Sequence, residues 1–310
     1  MSSSNSVTVL GVFVADTTYR AERPPRMGET ILGNSFALGP GGKGSNQSVA
    51  IGRLGTPVNF ISRLGDDDFA AMATKIWSEA GVTPVVTRDP ENYTGAAYIF
   101  VDEATGDNAI IICPGAAADI SVADVEAQRH TIEGSAVFVT QLEQPLGAAH
   151  RALEIARKTG VKTILNPAPA AELSDDMLAL CDFVTPNETE TEELTGLNVS
   201  TIEEARQAAD ALLKRGPGAV ILTLGEQGAL YHTAETSELV PAINAGPVVE
   251  TTGAGDAFNG GFASALASGK SELQAVRYGC AVAGLSVTRP GTAPSMPSAS
   301  EVAELMNRQA

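Results

Sequence analysis

The segment best suited to chemistry is Thr252-Gly-Ala-Gly-Asp256, which lies directly before a predicted long helix. Gly253, Ala254 and Gly255 are small, so their backbone N–H groups can face a ligand at the helix N-terminus. Anions are favoured there, because the first amides of a helix lack partners within it and the helix dipole is positive at that end. Asp256 falls in the first turn, where it either caps the helix or acts on the ligand. Three small residues ahead of the acid favour a cradle for a transferring phosphoryl group.

A second glycine-rich segment, Gly39-Pro-Gly-Gly-Lys-Gly-Ser-Asn46, formally satisfies the G-x-G-x-x-G pattern of dinucleotide-binding proteins. Acidic residues from Asp66 follow the strand-like Val58–Ser62, so a dinucleotide-dependent oxidoreductase is an alternative from a different enzyme class. Against it, the preceding residues resemble short strands, and Lys43 occupies the loop where the backbone should approach a pyrophosphate. A Walker A loop is excluded, because Ala37 stands where its first glycine belongs and glycine follows the lysine.

Three further segments stand at predicted strand ends, the edge at which open α/β sheets bind ligands. Asp16 follows the apolar run Val7–Val14. Asn187-Glu-Thr-Glu190 is either a capping box or a place for Glu190 near Mg²⁺, which prefers carboxylate oxygens. Thr223-Leu-Gly-Glu-Gln-Gly228 contains glycines that would let a nucleotide pack against the backbone.

The elements that position these residues follow an α/β pattern. Helical segments alternate with strands predicted at Ala136–Thr140, Lys162–Leu165, Phe183–Thr185 and Ala219–Thr223. This alternation predicts a doubly wound, mostly parallel sheet flanked by helices. Short predicted strands within 17–39 (Glu29–Leu32 and Ser35–Leu38) and within 96–113 indicate a small separate β-sheet that forms a lid. We expect one α/β domain over residues 1–310.

Composition excludes several classes of partner. The 310 residues carry 37 Asp and Glu against 20 Lys and Arg, a formal net charge of −17, which disfavours nucleic acid and anionic membranes. The three cysteines are scattered and match neither a disulfide framework nor a zinc site. The polar N-terminus lacks the pattern of a signal peptide, so we expect a cytoplasmic protein.

Seven segments, in this order, resemble the pfkB (ribokinase) family of carbohydrate kinases from about Val7 to Pro297. They are Gly41-Gly-Lys-Gly-Ser-Asn46, Gln141-Leu-Glu143, Asn166-Pro-Ala-Pro-Ala170, Thr185-Pro-Asn-Glu-Thr-Glu190, Thr223-Leu-Gly225, Thr252-Gly-Ala-Gly-Asp256 and Val287-Thr-Arg289. Several segments in order are more specific than any one glycine motif. The resemblance implies a ribokinase-like fold and ATP-dependent phosphorylation of a sugar hydroxyl, with D-ribose converted to D-ribose 5-phosphate as the first expectation.

The resemblance also implies a role for each matching residue. Asp256 would be the base, with Gly253, Ala254 and Gly255 forming the anion hole beside it. The expected sugar-binding residues are Asp16, Gly42, Lys43, Asn46, Glu143 and Asp256. The expected ATP-binding residues are Asn187, Thr223, Leu224, Gly225, Glu226, Gln227, Gly228, Gly255 and Cys280. Glu190 would order Mg²⁺, directly or through water. Activating K⁺ would bind at Glu250, Thr252, Ser286, Arg289, Gly291 and Ser295, mostly through backbone oxygens.

Two positions depart from the family pattern. Members usually carry Asn two residues before the strand-end Asp, whereas this chain has Val14. Valine leaves a buried sugar hydroxyl unpaired at a cost of about 1–3 kcal/mol, so 2-deoxyribose or another small sugar is the alternative substrate unless water or Asp16 compensates. Glu250 stands where Asp is usual, which leaves K⁺ activation open. A non-catalytic sugar or nucleotide sensor is a further alternative, opposed by the intact Asp256. Exposed lid edges favour a homodimer through the lid.

Overall fold

The structure, a computed structural model, describes residues 5–309, which form two β-sheets and flanking helices. The strands are β1 (Val7–Leu10), β2 (Val14–Ala21), β3 (Ser35–Gly41), β4 (Val58–Leu64), β5 (Val82–Arg88), β6 (Thr94–Asp102), β7 (Asn108–Gly115), β8 (Val137–Thr140), β9 (Lys162–Leu165), β10 (Phe183–Val184), β11 (Ala219–Thr223), β12 (Ala229–His232) and β13 (Ser237–Val240). The α-helices are α1 (Lys43–Arg53), α2 (Asp68–Ala80), α3 (Val122–Ala127), α4 (Arg129–Glu133), α5 (Leu146–Thr159), α6 (Asp175–Leu178), α7 (Glu188–Thr195), α8 (Ile202–Leu213), α9 (Ala254–Ala267), α10 (Glu272–Ser286) and α11 (Ala299–Arg308).

The larger sheet has nine strands in the order β13-β12-β11-β10-β9-β8-β1-β4-β5. The pairs from β11 to β5 are parallel, as the alternating sequence predicts, while β12 and β13 add an antiparallel edge. Parallel strands end at one edge, so the segments after β8, β9, β10 and β11 lie side by side. This edge brings together the polar residues that the sequence places far apart.

Helices cover both faces of the nine-stranded sheet. Along β1 and β8 the side chains alternate, so that Val9 and Val139 join one core while Leu10 and Phe138 join the other. The first core packs α1, α2, α9, α10 and α11 against the sheet, and the second packs α3 to α6. The resulting three layers agree with the doubly wound architecture expected for the chain.

The second sheet has the order β3-β2-β6-β7 and stands apart from the larger one as the lid sheet. The expectation that Val7–Val14 forms one strand was wrong, because the run breaks at Gly11–Phe13 into β1 and β2, which belong to different sheets. Asp16 therefore lies within β2 of the lid sheet, paired with Gly39 and Ala97, and not at the end of a central strand. The strand expected at Glu29–Leu32 is absent, since these residues carry no regular structure and all but the partly buried Ile31 are exposed.

Trp77 of α2 fixes the position of α1, the helix that begins in the glycine-rich segment. Its ring is fully buried and makes edge contacts with Phe13 and Phe60 at centroid distances of 5.8 and 5.1 Å. Its Nε1–H donates to Oγ of Ser45 on α1 at 2.9 Å. Truncating a buried Trp to Ala costs about 3–5 kcal/mol, so this contact holds α1 firmly against the sheet.

None of the helices formed by residues 5–309 is both long and apolar enough to cross a membrane.

Candidate active site

Asp256 lies in the first turn of α9 and is buried, with a side chain only 5% exposed. Its Oδ2 accepts from Nδ2 of Asn46 at 2.9 Å, and its Oδ1 accepts from Nε2 of Gln47 at 3.0 Å. Burial raises the pKa of Asp256, while nearby Lys43 and the two amide donors oppose that rise. The carboxylate makes no capping bond to its own helix, so the capping interpretation of this residue was wrong.

The N-terminus of α9 presents free backbone donors beside Asp256. Gly253, the N-cap, has φ of 82°, a left-handed conformation that favours glycine, and the amide of Ala254 donates to Thr251 O at 3.1 Å. Within residues 5–309 the amides of Gly255 and Asp256 have no acceptor. A Cβ added at Gly255 would meet no atom of residues 5–309 within 4 Å outside the nearby helix backbone, so the space beside this residue is open. The geometry suits an anion held by backbone N–H groups.

Lys43 is the first residue of α1 and carries the positive charge of the site. Burial alone would lower the pKa of Lys43, but the carboxylates of Asp256, Glu143 and Glu190 raise it on balance, so the ammonium stays charged. Its backbone amide donates to Oε2 of Glu143 at 2.7 Å. Three acids from three distant segments therefore surround one cation.

The carboxyl groups of Asp16 and Glu143 face the same space. Burial, and then the charge of Asp256, raises the pKa of Asp16 to about 6. Burial also raises the pKa of Glu143, to about 7, against the opposing effect of Lys43. A Cβ added at Gly41 would overlap the Asp16 carboxylate, which explains the glycine at that position. Buried acids with raised pKa values are typical of sites that bind polar ligands.

Gly42 is the N-cap of α1 and has φ of 87°. A Cβ there would lie 2.5 Å from Val12 O, so only glycine lets the chain turn from the lid sheet into α1 beside the broken apolar run. Gly39 and Gly41 lie in β3, antiparallel to β2, rather than in a turn after a parallel strand. The dinucleotide-binding interpretation of this segment was therefore wrong.

Asn46 donates to Asp256 and also carries an unpaired acceptor. The residue is 4% exposed, and among residues 5–309 its buried Oδ1 has no hydrogen-bond partner. An unpaired buried acceptor costs free energy unless a ligand supplies a donor. A hydroxyl group bound here could donate to Oδ1 while lying next to the Asp256 carboxylate.

The segments expected to bind a nucleotide lie at the ends of β10 and β11. Asn187 and Glu190 form a capping box on α7, with Asn187 N donating to Glu190 Oε2 at 2.9 Å and Glu190 N to Asn187 Oδ1 at 2.8 Å. Asn187 also bridges to Thr223, which brings the two segments together. Residues Gly225–Gln227 form a short 3₁₀ helix, and Gly228 follows with φ of 108°.

The other residues expected to bind the nucleotide or Mg²⁺ differ in their exposure to solvent. Glu190 Oε1 accepts no hydrogen bond within residues 5–309, and burial raises the pKa of Glu190. The side chains of Leu224 and Cys280 are buried, whereas Glu226 and Gln227 are exposed. Cys280 lies on α10, which packs against β12 just beyond the Thr223–Gly228 loop. Burial raises the pKa of its thiol to about 12, so it is a neutral apolar surface rather than a nucleophile.

The residues expected to hold a monovalent cation meet near the start of α9. Gly291 N donates to Oε2 of Glu250 at 2.9 Å, and Glu250 N donates to Val287 O at 3.2 Å. The carbonyl oxygens of Glu250, Thr252, Gly291 and Ser295 accept no hydrogen bond within residues 5–309, whereas that of Ser286 accepts from Arg289 N. The guanidinium of Arg289 pairs with Glu301 at 2.5 Å, and the carbonyl oxygen of Arg289 accepts no hydrogen bond within residues 5–309. Free carbonyls beside a carboxylate are suitable ligands for a hard cation.

Several buried polar residues next to Asp256 escaped the sequence analysis as functional residues. Gln47 contacts Asp256 directly and also donates to Oδ1 of Asn166 at 3.1 Å. Thr185 donates to Asn259 at 2.7 Å, and Asn259 in turn donates to Gly255 O at 2.9 Å. The only available signal was the presence of amide side chains inside apolar helices and at strand ends, where polar residues need partners.

The chain is similar to known proteins over nearly its whole length. The profile of the family described as pfkB family carbohydrate kinase matches residues 4–299. A ribokinase of Haemophilus influenzae is 38% identical over 302 residues, covering 97% of this chain and 98% of the relative. A deoxyribokinase of Salmonella typhimurium is 36% identical over 303 residues, covering 97% and 98%. The structure of Arabidopsis thaliana ribokinase complexed with ribose and ATP matches with a TM-score of 0.92 at 31% identity, covering 98% of this chain and 99% of that chain.

Proposed function

Because the chain belongs to the pfkB family of carbohydrate kinases, we propose that it transfers the γ-phosphoryl group of ATP to D-ribose, forming D-ribose 5-phosphate with Asp256 as the base. The observation that carries the proposal is the position of this buried carboxylate. It is held by Asn46 and Gln47 next to the free amides at the N-terminus of α9, with Lys43 close by.

The proposed sugar site lies between the lid sheet and α1. Asp16 and Glu143 supply carboxylates, Gly42 and Lys43 supply the start of α1, and Asn46 supplies its unpaired oxygen. An ionised carboxylate can accept two hydrogen bonds from neighbouring hydroxyls, which suits a sugar. The lid sheet above the site would exclude water, which competes as phosphoryl acceptor.

In the proposed reaction the sugar hydroxyl oxygen attacks the γ-phosphorus as the bond to ADP breaks. Asp256 takes the proton from that hydroxyl. The backbone N–H groups of Gly255 and Asp256 donate hydrogen bonds to the phosphoryl oxygens and stabilise the negative charge that develops there. Phosphoryl transfer depends on positioning and charge neutralisation more than on a strong base. The rigid placement of Asp256 by two amide donors supports this role.

We place ATP along the ends of β10 and β11, with Asn187 and the Thr223–Gly228 segment on its phosphate and ribose side and Cys280 near the adenine. Within residues 5–309 no group of three or more His, Cys, Asp or Glu side chains is arranged to hold a metal ion. The free Oε1 of Glu190 nevertheless suits the water shell of an Mg²⁺ ion that arrives with the nucleotide. Magnesium would neutralise phosphate charge during the transfer.

We also propose that K⁺ activates the enzyme from the loop formed by Glu250, Thr252, Ser286, Arg289, Gly291 and Ser295. The free carbonyl oxygens and the Glu250 carboxylate in this loop fit such an ion. The loop adjoins the start of α9, so the cation would stabilise the anion hole. Replacing Na⁺ with K⁺ should raise kcat, and equal rates in the two salts would contradict this assignment.

A kinase for 2-deoxyribose is the second candidate, favoured by Val14. This side chain is 5% exposed, lies two residues before Asp16 on β2 and has no hydrogen-bonding group. The Salmonella typhimurium relative at 36% identity is a deoxyribokinase, so sequences this similar include both activities.

The lid sheet supports a homodimer. Its exposed large side chains are Tyr19, Phe36, Leu38, Ile110, Ile111 and Ile112. Directly paired residues share a face of a sheet, so Tyr19, Phe36, Leu38 and Ile111 lie on one face, whereas Ile110 and Ile112 lie on the face that carries Asp16. An exposed apolar patch such as the first, on a sheet with two open edges, is typical of an interface. Sedimentation equilibrium of the purified protein should give twice the mass of one chain, and a monomer at micromolar concentration would contradict the proposal.

The proposed function is tested by measuring ADP release from ATP with ribose, 2-deoxyribose and fructose in parallel, using Asp256→Asn as the control. Ribose turnover that the variant loses would support the ribose assignment. Preference for 2-deoxyribose would support the second candidate function, a 2-deoxyribose kinase, instead of a ribokinase. Absence of turnover while ATP still binds would favour a non-catalytic sensor.

A further inference from the structure

A chain of buried amide side chains lies directly behind Asp256. Nε2 of Gln141 donates to Oε1 of Gln47 at 2.6 Å, and Nε2 of Gln47 donates to Oδ1 of Asp256 at 3.0 Å and to Oδ1 of Asn166 at 3.1 Å. Nδ2 of Asn166 then donates to Thr185 O at 3.0 Å. Gln47 and Gln141 are fully buried, so solvent cannot replace these contacts.

The direction of this chain is fixed by groups that can only accept. The backbone carbonyl of Thr185 offers no proton, so the NH₂ group of Asn166 must face it, and Oδ1 of Asn166 then faces the NH₂ group of Gln47. The same orientation of Gln47 gives the carboxylate form of Asp256 a donor. The Gln47 oxygen therefore points to Gln141, which supplies the donor it needs. Reversing the Gln47 amide would bring its oxygen against the Asp256 carboxylate and leave two buried acceptors facing each other.

Gln47 is also placed on a rigid element. It is the fifth residue of α1, one residue after Asn46, and α1 is fixed by the fully buried Trp77 through Ser45. The two amide donors from consecutive residues hold one oxygen each of the carboxylate. The Asn46 side of Asp256 adjoins an unpaired acceptor, whereas the Gln47 side faces further buried amide groups.

We propose that Gln47, oriented by Gln141, is a positioning residue for the base: it holds Oδ1 of Asp256 so that Oδ2 faces the hydroxyl to be phosphorylated. This inference rests on the proposed kinase activity and deepens it. Gln47 is fully buried, and its side chain bonds only to Asp256, Asn166 and Gln141 among residues 5–309, so its loss should affect the chemical step and not substrate binding. It should also shift the ionisation of Asp256, since a donor to the carboxylate favours the charged form.

The test compares Gln47→Met and Gln141→Met with the wild type. Methionine keeps the length of glutamine and removes its hydrogen bonds, while Gln141→Met disturbs the orientation of Gln47 without touching Asp256. We expect Gln47→Met to lower kcat by on the order of tenfold to a hundredfold, with KM for sugar and ATP within about twofold. The acid limb of its kcat–pH profile should move to higher pH. Gln141→Met should show the same changes at smaller size.

Gln144→Met is the matched control, because Gln144 is a buried glutamine that contacts Thr140 and the Gln141 backbone but not Asp256. It should lower the melting temperature as much as the other variants and leave the acid limb in place. Normal kcat and an unmoved acid limb in Gln47→Met would overturn this inference alone, as would an equal limb shift in Gln144→Met. If Gln47→Met fails to fold, an unmoved limb in Gln141→Met would overturn it. Lack of turnover by the wild type would overturn the proposed function and this inference together.

Discussion

Asn46 donates from Nδ2 to Oδ2 of Asp256 at 2.9 Å, while its own buried Oδ1 accepts no hydrogen bond. One side chain thus holds the base and also offers an acceptor to a ligand. The unpaired oxygen raises the free energy of the ligand-free protein, and a bound hydroxyl would remove that penalty. The site is therefore prepared for a hydroxyl at one particular place beside the Asp256 carboxylate.

Asn46→Asp should strongly impair the reaction, because it replaces the donor to Asp256 with a second carboxyl group. Two carboxyl groups in contact cannot both ionise easily, so the second ionisation of the pair takes place at a higher pH. At pH 7 the two groups then share a proton that blocks the base. We expect kcat/KM at pH 7 to fall on the order of a hundredfold, the upper range for a lost buried hydrogen bond to a charged group. Steady-state kinetics will measure this fall. Asn59→Asp on β4 is the control, and an Asn46→Asp enzyme as active as that control would contradict the assignment.

Gly255→Ala should separate activity from stability. Gly255 is the second residue of α9 and has room for a Cβ, so alanine should leave the melting temperature unchanged or raise it. The methyl group would occupy the open space beside Gly255, where we place the phosphoryl group, and reduce kcat on the order of a hundredfold. Gly147→Ala is matched, because Gly147 is likewise the second residue of α5 with no atom within 4 Å of a Cβ. Undiminished turnover in Gly255→Ala would exclude a phosphoryl group at this place.

Those features of the fold and of the site that depend on local patterns could be predicted from the sequence. The alternating helices and strands indicated the parallel sheet, and the small residues before Asp256 indicated a helix N-terminus with free donors. The split of Val7–Val14 was missed, because apolar residues continue across the change from one sheet to the other and only Gly11 marks it. The antiparallel edge was missed for a similar reason, since short apolar strands do not indicate their direction.

The contacts behind Asp256 could not be predicted from local patterns at all. Gln47 and Asp256 are separated by 209 positions, and Gln141 and Gln47 by 94. Their contact depends on the order of the parallel strands in the sheet, which local patterns do not specify. In addition, a buried amide in a helix has many possible partners. The resemblance to a family supplied residues that are expected to touch ligands, whereas the buried amides behind Asp256 became apparent only from the geometry.

Asp16→Asn should stabilise the ligand-free protein in a pH-dependent way. The pKa of Asp16 is raised by burial, and then by Asp256, from 3.8 to about 6. The folded protein thus binds this proton more tightly than the unfolded chain, so ionisation of Asp16 lowers the free energy of unfolding as the pH rises from about 4 to about 6. The variant lacks that penalty. Its melting temperature should exceed that of the wild type at pH 7–8 and approach it near pH 4.

Calorimetry without ligands across this pH range will measure the difference. Asp107→Asn, on the exposed turn before β7, is the control and should leave the melting temperature alone at every pH. Sugar turnover by Asp16→Asn should meanwhile fall, because an amide cannot replace the second acceptor of the carboxylate. Equal melting temperatures of Asp16→Asn and wild type at pH 8 would show that ionised Asp16 does not lower the free energy of unfolding of the ligand-free protein.

Val14→Asn should shift the preference between ribose and 2-deoxyribose. Val14 pairs with Gly41 across β2 and β3, is 5% exposed and belongs to an apolar cluster with Leu10, Val12 and Ala97. An asparagine here would lack partners in the free protein, so its melting temperature should fall. A ribose hydroxyl that the valine leaves unpaired would regain a partner worth about 1–3 kcal/mol. The ratio of kcat/KM for ribose to that for 2-deoxyribose should therefore rise about tenfold or more.

Val14→Ala is the matched control for this shift. It also loses packing and stability but adds no hydrogen-bonding group, so the ratio between the two sugars should stay at its wild-type value. Competition between the sugars in one reaction, with the two phosphorylated products separated by mass, measures that ratio independently of the amount of folded enzyme. A ratio that rises only in Val14→Asn would assign this position to discrimination at the hydroxyl that the two sugars do not share. A ratio unchanged in both variants would mean that Asp16 and bound water already satisfy that hydroxyl in the wild type.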